Sequence, residues 1–113
     1  MDSALFAAPQ PSHVPPSRLM DIDVYAAPAP GADFLDAWRA VMDAAPSSLV
    51  WTPRHGGHWV ATRGREIELI YRDHEAFSSR VVLVPRAWGE AFQIKPTTLD
   101  PPVHTPYRRI INA

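Results

Sequence analysis

The clearest periodic stretch lies at 31–45. Phe34, Leu35, Trp38, Val41, Met42 and Ala45 fall at i, i+1, i+4, i+7, i+8 and i+11, a single apolar stripe at helical spacing. Asp33 and Asp36 suit the first turn, where the helix dipole favours acids. Pro46 ends the segment. The stripe reads as a core face and not as a cofactor box. The period then changes. Leu49-Val50-Trp51-Thr52 and His58-Trp59-Val60-Ala61-Thr62 are β-branched and aromatic, and Pro53-Arg54-His55-Gly56-Gly57 between them is a turn. Together they predict a β-hairpin. Arg63-Gly64 breaks the second strand. A short helix over 66–72 follows, with Ile67, Ile70 and Tyr71 on its inner face. Asp73-His74-Glu75 ends it, and Phe77 is the expected core anchor beyond it.

Residues 80–99 show little regular pattern apart from a single helical turn over 86–92. Irregular stretches this long inside a compact domain are usually functional or disordered. The other end is different again. Residues 1–30 hold Pro9, Pro11, Pro15, Pro16, Pro28 and Pro30. They read as an extended Pro/Ala-rich leader and not as a packed element. Ile22-Asp23-Val24-Tyr25 is the one part able to pack, with Asp21 and Asp23 facing water. The chain therefore divides into a leader, 1–30, and a body, 31–113. The body is mainly α with a small antiparallel β-hairpin.

Bulk properties narrow the function. The chain has 113 residues, 46% of them hydrophobic, enough for one ordinary domain with a core. A net charge of −1 gives no electrostatic case for nucleic acid or an anionic membrane. Without cysteine there is no disulfide, no thiolate metal site and no cysteine nucleophile. The first residues carry an acid, no Lys or Arg before Arg18, and an apolar stretch broken by Pro9, which is unlike a signal peptide. No run has the length of a transmembrane helix. The expected location is the cytoplasm.

One stretch carries candidate chemistry: Asp100-Pro101-Pro102-Val103-His104-Thr105-Pro106-Tyr107-Arg108-Arg109. It reads as a turn opening a helix, with Asp100 as the N-cap and the prolines in a first turn, where N–H groups lack partners. His104 and Arg108 are four apart and stand on one helix face. Two cationic donors near a helix N-terminus suit an anion. By spacing alone, a basic pair on a helix is more often a solvated face. Pro106 lies between the two. In a helix interior it would cost about 3 kcal/mol, and less in the first turn. His55 and His58 are three apart, but no third ligand lies near them, and a turn histidine needs no metal. No metal ligand and no catalytic residue are assigned.

Asp-Pro-Pro-x-His-x-x-x-Arg resembles the start of the C helix of bacterial cytochromes P450. Leu49-Val50-Trp51-Thr52, the segment from Gly56 to Gly64, Phe77-Ser78-Ser79, the segment from Val84 to Phe92 and the leader's His13-Val14-Pro15 look, in order, like the camphor-hydroxylase branch. The resemblance implies the N-terminal portion of a soluble haem-thiolate monooxygenase, truncated before its chemistry. It implies that His104 and Arg108 donate to a haem propionate. Leu83, Phe92 and Thr97 match pocket positions on a substrate lid between the B and C helices. Read without the family, Leu83 and Phe92 are ordinary core. Arg109, next to Arg108, points elsewhere around the helix and matches the face that receives an iron–sulfur ferredoxin. Phe92 stands where the camphor-type pattern has tyrosine. A phenyl ring cannot donate to a ketone, so the substrate expected is a more hydrocarbon-like terpenoid than camphor. The family's cysteine loop, acid–alcohol pair and Glu-x-x-Arg are absent from these 113 residues, so the iron ligand lies outside this chain and the chain is expected to be inactive alone. A short non-catalytic Pro-rich binding protein is the alternative.

Overall fold

The computed structural model describes residues 7–26, 29 and 31–112. The first six residues, on which the signal-peptide reading rests, lie outside the described residues, as do Ala27, Pro28 and Pro30 of the leader. The chain divides into two compact units, 1–67 and 68–113.

In the first unit, α1 runs Phe34–Asp43. Asp33 is its N-cap, not a first-turn residue: its carboxylate accepts from the Asp36 N–H at 3.0 Å. The helix stops where Arg63 reaches back. The Arg63 guanidinium donates to the carbonyls of Met42, which also accepts the Ala45 N–H at 3.2 Å, and, at 3.4 Å, of Ala45, which lies past the helix end. The apolar stripe is buried only along its second half. Trp38 and Val41 pack on the core and Ala45 is buried, whereas Phe34 and Leu35 are exposed. The stripe therefore faces a core only where the sheet lies under it.

That sheet is the predicted hairpin. β1, Leu49–Thr52, pairs antiparallel with β2, His58–Ala61, in the register Leu49↔Ala61 to Thr52↔His58. Thr62 lies just past β2, yet its N–H donates to the Ser48 carbonyl at 2.9 Å and its hydroxyl to the Ser47 carbonyl at 2.7 Å. The turn is tight. His55, Gly56 and Gly57 all have φ between 53° and 85°. A Cβ on Gly57 would stand 2.4 Å from the Trp51 ring, so glycine is required there twice over, by φ and by space.

The leader packs at Ile22, as expected, and also at Val14, contrary to the expectation from its prolines. Val14 and Ile22 are 2% and 3% exposed. Leu19 forms a parallel bridge to Trp51, and the Met20 N–H donates to the Trp51 carbonyl at 3.0 Å. Ile22 then joins Ala45 and Val50 in the core, with Met20, Trp38, Val41 and Val60 around them. Burying an isoleucine side chain stabilises by about 1.5–3 kcal/mol. Pro16–Arg18 form a 3-10 turn, and the proline-free stretch from Leu19 meets the sheet edge, where its N–H groups can be used.

Polar groups fasten the same segment. Thr52 is fully buried; its Oγ1 donates to the Ile22 carbonyl at 2.9 Å and accepts from the Ile22 N–H at 3.2 Å. Asp21 and Asp23 both bond to the hairpin turn; Asp23 is thereby partly withdrawn from water, whereas the Asp21 side chain stays 61% exposed, as expected. Asp21 accepts two bonds from the Arg54 guanidinium, at 2.6 and 2.9 Å. The Asp23 carboxylate lies 2.7 Å from His55 Nε2 and accepts from the Tyr25 N–H at 3.0 Å. The Arg54 bonds hold the Asp21 carboxyl below its ordinary value, and the His55 contact does the same for Asp23.

α2 runs Gly64–Arg72, two residues earlier than expected. Of its expected inner face, Ile70 is half-buried, but Ile67 and Tyr71 are exposed. Phe77 is exposed as well, so it anchors no core among the described residues. The second unit continues with α3, Arg86–Ala91, and α4, Thr105–Ile111. None of its large apolar side chains is fully buried among the described residues.

Candidate functional site

The Asp-Pro-Pro-x-His-x-x-x-Arg stretch forms a turn and then α4, but its parts are used differently from the sequence expectation. Pro101 to His104 form turns, and the helix starts at Thr105 with His104 as its N-cap. Asp100 does not cap the helix with its side chain. Its main-chain carbonyl accepts the His104 N–H at 3.1 Å, while its carboxylate reaches back along the chain to Ser78 and Ser79. Pro106 falls in the first turn, where no intrahelical donor is needed.

His104 and Arg108 are joined by the helix itself: the Arg108 N–H donates to the His104 carbonyl at 3.0 Å. They therefore sit one turn apart along α4. His104 is half-buried, with Nδ1 3.4 Å from the Thr105 hydroxyl. Arg108 and Arg109 are exposed, and among the described residues neither guanidinium makes an ion pair.

The three pocket candidates lie on the loop around α3. Leu83 is half-buried just before the helix. Its carbonyl and N–H lie against Gly89, where a Cβ would meet the Leu83 oxygen at 2.7 Å. Phe92 follows α3 as its C-cap residue, extended at φ −109° and 48% exposed. Thr97 is exposed, whereas its neighbour Thr98 is buried and clasps the backbone of Ile94 through Oγ1. The loop thus carries Leu83 and Phe92 on either side of α3.

A cleft of about 440 Å³ opens beside this loop, lined by Ser78, Arg80, Val81, Arg86 and Asp100. Arg86 Nε donates to Glu90 Oε1 at 2.7 Å, which holds the Glu90 carboxyl below its ordinary value. The Ser78 hydroxyl, and then the Ser79 N–H, do the same for Asp100. Sequence reading missed Ser78, Ser79, Gly89 and Thr98. The only signal was two short polar residues and an acid at opposite ends of an irregular stretch, which by itself fixes no pairing.

No group of three or more potential metal-ligating side chains forms among the described residues. His55 is instead bound to Asp23 and set edge-on to the Tyr25 ring at 4.9 Å. No described helix is long and apolar enough to cross a membrane.

Comparison with known proteins places this arrangement. No protein-family model matches the chain. The chain is 35% identical to the probable cytochrome P450 127A1 of Sinorhizobium fredii, over 92% of this chain and 27% of that protein. The crystal structure of CYP101J2 superposes with a TM-score of 0.86 at 44% identity, covering 93% of this chain and 27% of that one. CYP101C1 superposes at 0.78 with 33% identity, covering 88% and 25%. Nearly the whole backbone path of the chain is thus held in common with these two solved proteins, at 44% and 33% identity. The chain is similar over nearly its whole length to cytochromes P450, and these two solved neighbours carry CYP101 names. It spans about a quarter of the length of the relatives it matches.

Proposed function

We propose that the chain serves as part of a haem-thiolate monooxygenase that oxidises a small, apolar, terpenoid-like substrate in the cytoplasm. The observation that carries this reading is the start of α4: His104 and Arg108 one turn apart, behind Asp-Pro-Pro, in a chain 44% identical to a solved P450. The donor chemistry fits a haem at one edge only. A neutral or charged imidazole and a guanidinium suit a propionate carboxylate, and the axial thiolate is not among these residues. When bound, the haem would supply the insertion of one oxygen atom of O2, the second leaving as water, with electrons passed from NAD(P)H through a reductase and an iron–sulfur ferredoxin.

This chain's own residues take the supporting roles. His104 and Arg108 donate to the propionate and orient the porphyrin. Leu83, Phe92 and Thr97 face the substrate from the loop. Arg109, turned about 100° from Arg108 around α4, meets the acidic ferredoxin. Such a charge acts mainly on encounter rate and salt dependence.

The test is a chimera in which this chain replaces the matching segment of CYP101J2. The expected protein retains haem and gives a thiolate-type carbon monoxide spectrum. In it, His104→Ala with Arg108→Ala should cause haem loss on gel filtration. Phe92→Tyr should improve binding of a ketone terpenoid over its parent hydrocarbon by about 0.5–1.5 kcal/mol, the contribution of one new hydrogen bond. Haem retained equally by the double variant would remove both donors from the propionate. Equal effects of Phe92→Tyr on both ligands would remove Phe92 from the pocket.

A further inference from the structure

We propose that Asp100 is a positioning residue that latches the two ends of the 80–99 loop together and ties that loop to the start of α4. The observations are geometric. The Ser79 N–H donates to Asp100 Oδ1 at 2.7 Å, and the Ser78 hydroxyl donates to Oδ2. Each carboxylate oxygen is therefore used by one of two consecutive residues at the far end of the loop. The Ser78 oxygen in turn accepts the Arg80 N–H at 3.1 Å. On the near side, the Asp100 carbonyl accepts the His104 N–H at 3.1 Å, so the same residue shapes the turn that leads into α4.

Between its ends the loop is filled by its own groups. Gly89 is buried against Val81, where a Cβ would stand 2.4 Å from Cγ1. The Gln93 amide donates to the carbonyls of Arg80 and Gly89 at 3.4 and 3.3 Å. Thr98 Oγ1 closes the last turn on Ile94. A loop with close ends and an interior of its own moves as a body on its attachment points. Here both attachment points share one carboxylate. A shift of the loop's stem is thus passed through the Asp100 backbone to His104.

The charged groups facing Asp100 are Arg80, which with Arg86 lines the same cleft, and His104, which follows it in the turn. Both donors need an acceptor, and only the ionised carboxyl offers acceptors on both oxygens. Because the serine bonds hold the carboxyl below its ordinary value, the latch is present above the usual carboxylate range. It is lost as pH falls through the lowered folded value.

This inference goes beyond the proposed function, since it depends on neither haem nor substrate and is read on the 113-residue chain itself. Trypsin sites at Arg80–Val81 and Arg86–Ala87 lie inside the loop, and cleavage reports how often it opens. Asp100→Asn keeps the shape but turns an amide N–H2 toward one of the two donors. Cleavage at both bonds should accelerate roughly tenfold, the equivalent of one lost charge-assisted hydrogen bond. Cleavage at Arg39 and Arg63 should stay unchanged. The Ser79 amide resonance should titrate with a midpoint below the free-carboxylate value of about 3.9 in the parent chain and not at all in Asp100→Asn. If Asp100→Asn fails to fold, Ser78→Ala removes one donor, leaves the carboxylate, and should accelerate cleavage severalfold. Unchanged cleavage inside the loop, acceleration equal to that at Arg39 and Arg63, or a Ser79 amide that does not titrate in the parent would each overturn the latch.

Discussion

Thr52 and Thr98 make the same clasp in two different settings. Each is buried, and each uses one hydroxyl to accept a backbone N–H and donate to the carbonyl of the same residue, Ile22 for Thr52 and Ile94 for Thr98. Around Thr52 lie Ile22, Val50 and Trp51, all 5% exposed or less. Around Thr98 the chain has no comparable apolar burial: Ile94 is 43% exposed, and Gly89 is the only other buried residue described in 68–112. The first unit is therefore held by apolar burial with hydrogen bonds fitted into it. The second is held by hydrogen bonds that close short loops. The lesson is that the same bond has different reach. Inside a core its loss exposes the whole core to competition, and in a self-closed loop its loss is local.

The most damaging way to break the contrast is to remove the apolar anchor of the first unit. Ile22→Ala should cost about 2–5 kcal/mol. Three of the four tryptophans, Trp38, Trp51 and Trp59, lie in that unit, so Trp88→Phe gives a background in which denaturant unfolding by fluorescence reports it alone. A loss below about 1 kcal/mol would mean that the leader is not part of the core.

The two clasps can be compared directly. Thr52→Val leaves the Ile22 N–H and carbonyl buried without partners and should cost about 1–3 kcal/mol. Thr98→Val should instead speed amide exchange at Thr98, whose N–H donates to the Ile94 carbonyl at 2.7 Å, without moving the unfolding midpoint of the first unit. Equal midpoint shifts in the two variants would erase the distinction.

Gly57→Ala puts a Cβ into the Trp51 ring at φ +82°. It should destabilise the hairpin by more than about 1 kcal/mol. Amide exchange across β1 and β2 would read the loss.

The smallest effect concerns pH. Burial holds the His58 imidazole below its ordinary value of about 6.5. The unfolded chain then binds the proton more readily, so this contribution to stability is present above that value and is lost as pH falls through the lowered folded value. His58→Gln should flatten the pH dependence of hairpin stability below pH ~6.5. The Asp21 and Asp23 pairs act lower, below the ordinary carboxylate range. An unaltered profile in His58→Gln would assign the acid loss to those carboxylates.

Local signals in the sequence determined the elements. The helical stripe placed α1, two β-branched runs around a Gly-Gly turn placed the hairpin, and Asp-Pro-Pro-x-His-x-x-x-Arg placed α4 and named the family. Each of these depends on contacts within a few residues, which period and composition report. What lay side by side in the chain was therefore legible. Partners far apart in sequence were not. Nothing local says that Asp21 and Asp23 turn onto Arg54 and His55, or that Thr52 closes on Ile22 across 30 residues. Nor does it say that Asp100 abandons its own helix for Ser78 and Ser79, 22 and 21 residues before it. The prolines of the leader argued against a packed element, but they said nothing of the distant strand: Pro16–Arg18 form a 3-10 turn, Leu19 and Met20 pair with Trp51, and Val14 and Ile22 are buried. Propensity is set by each residue's own backbone, whereas burial and hydrogen-bond partnership are set by whichever distant surface the fold brings near, and only the tertiary structure decides that.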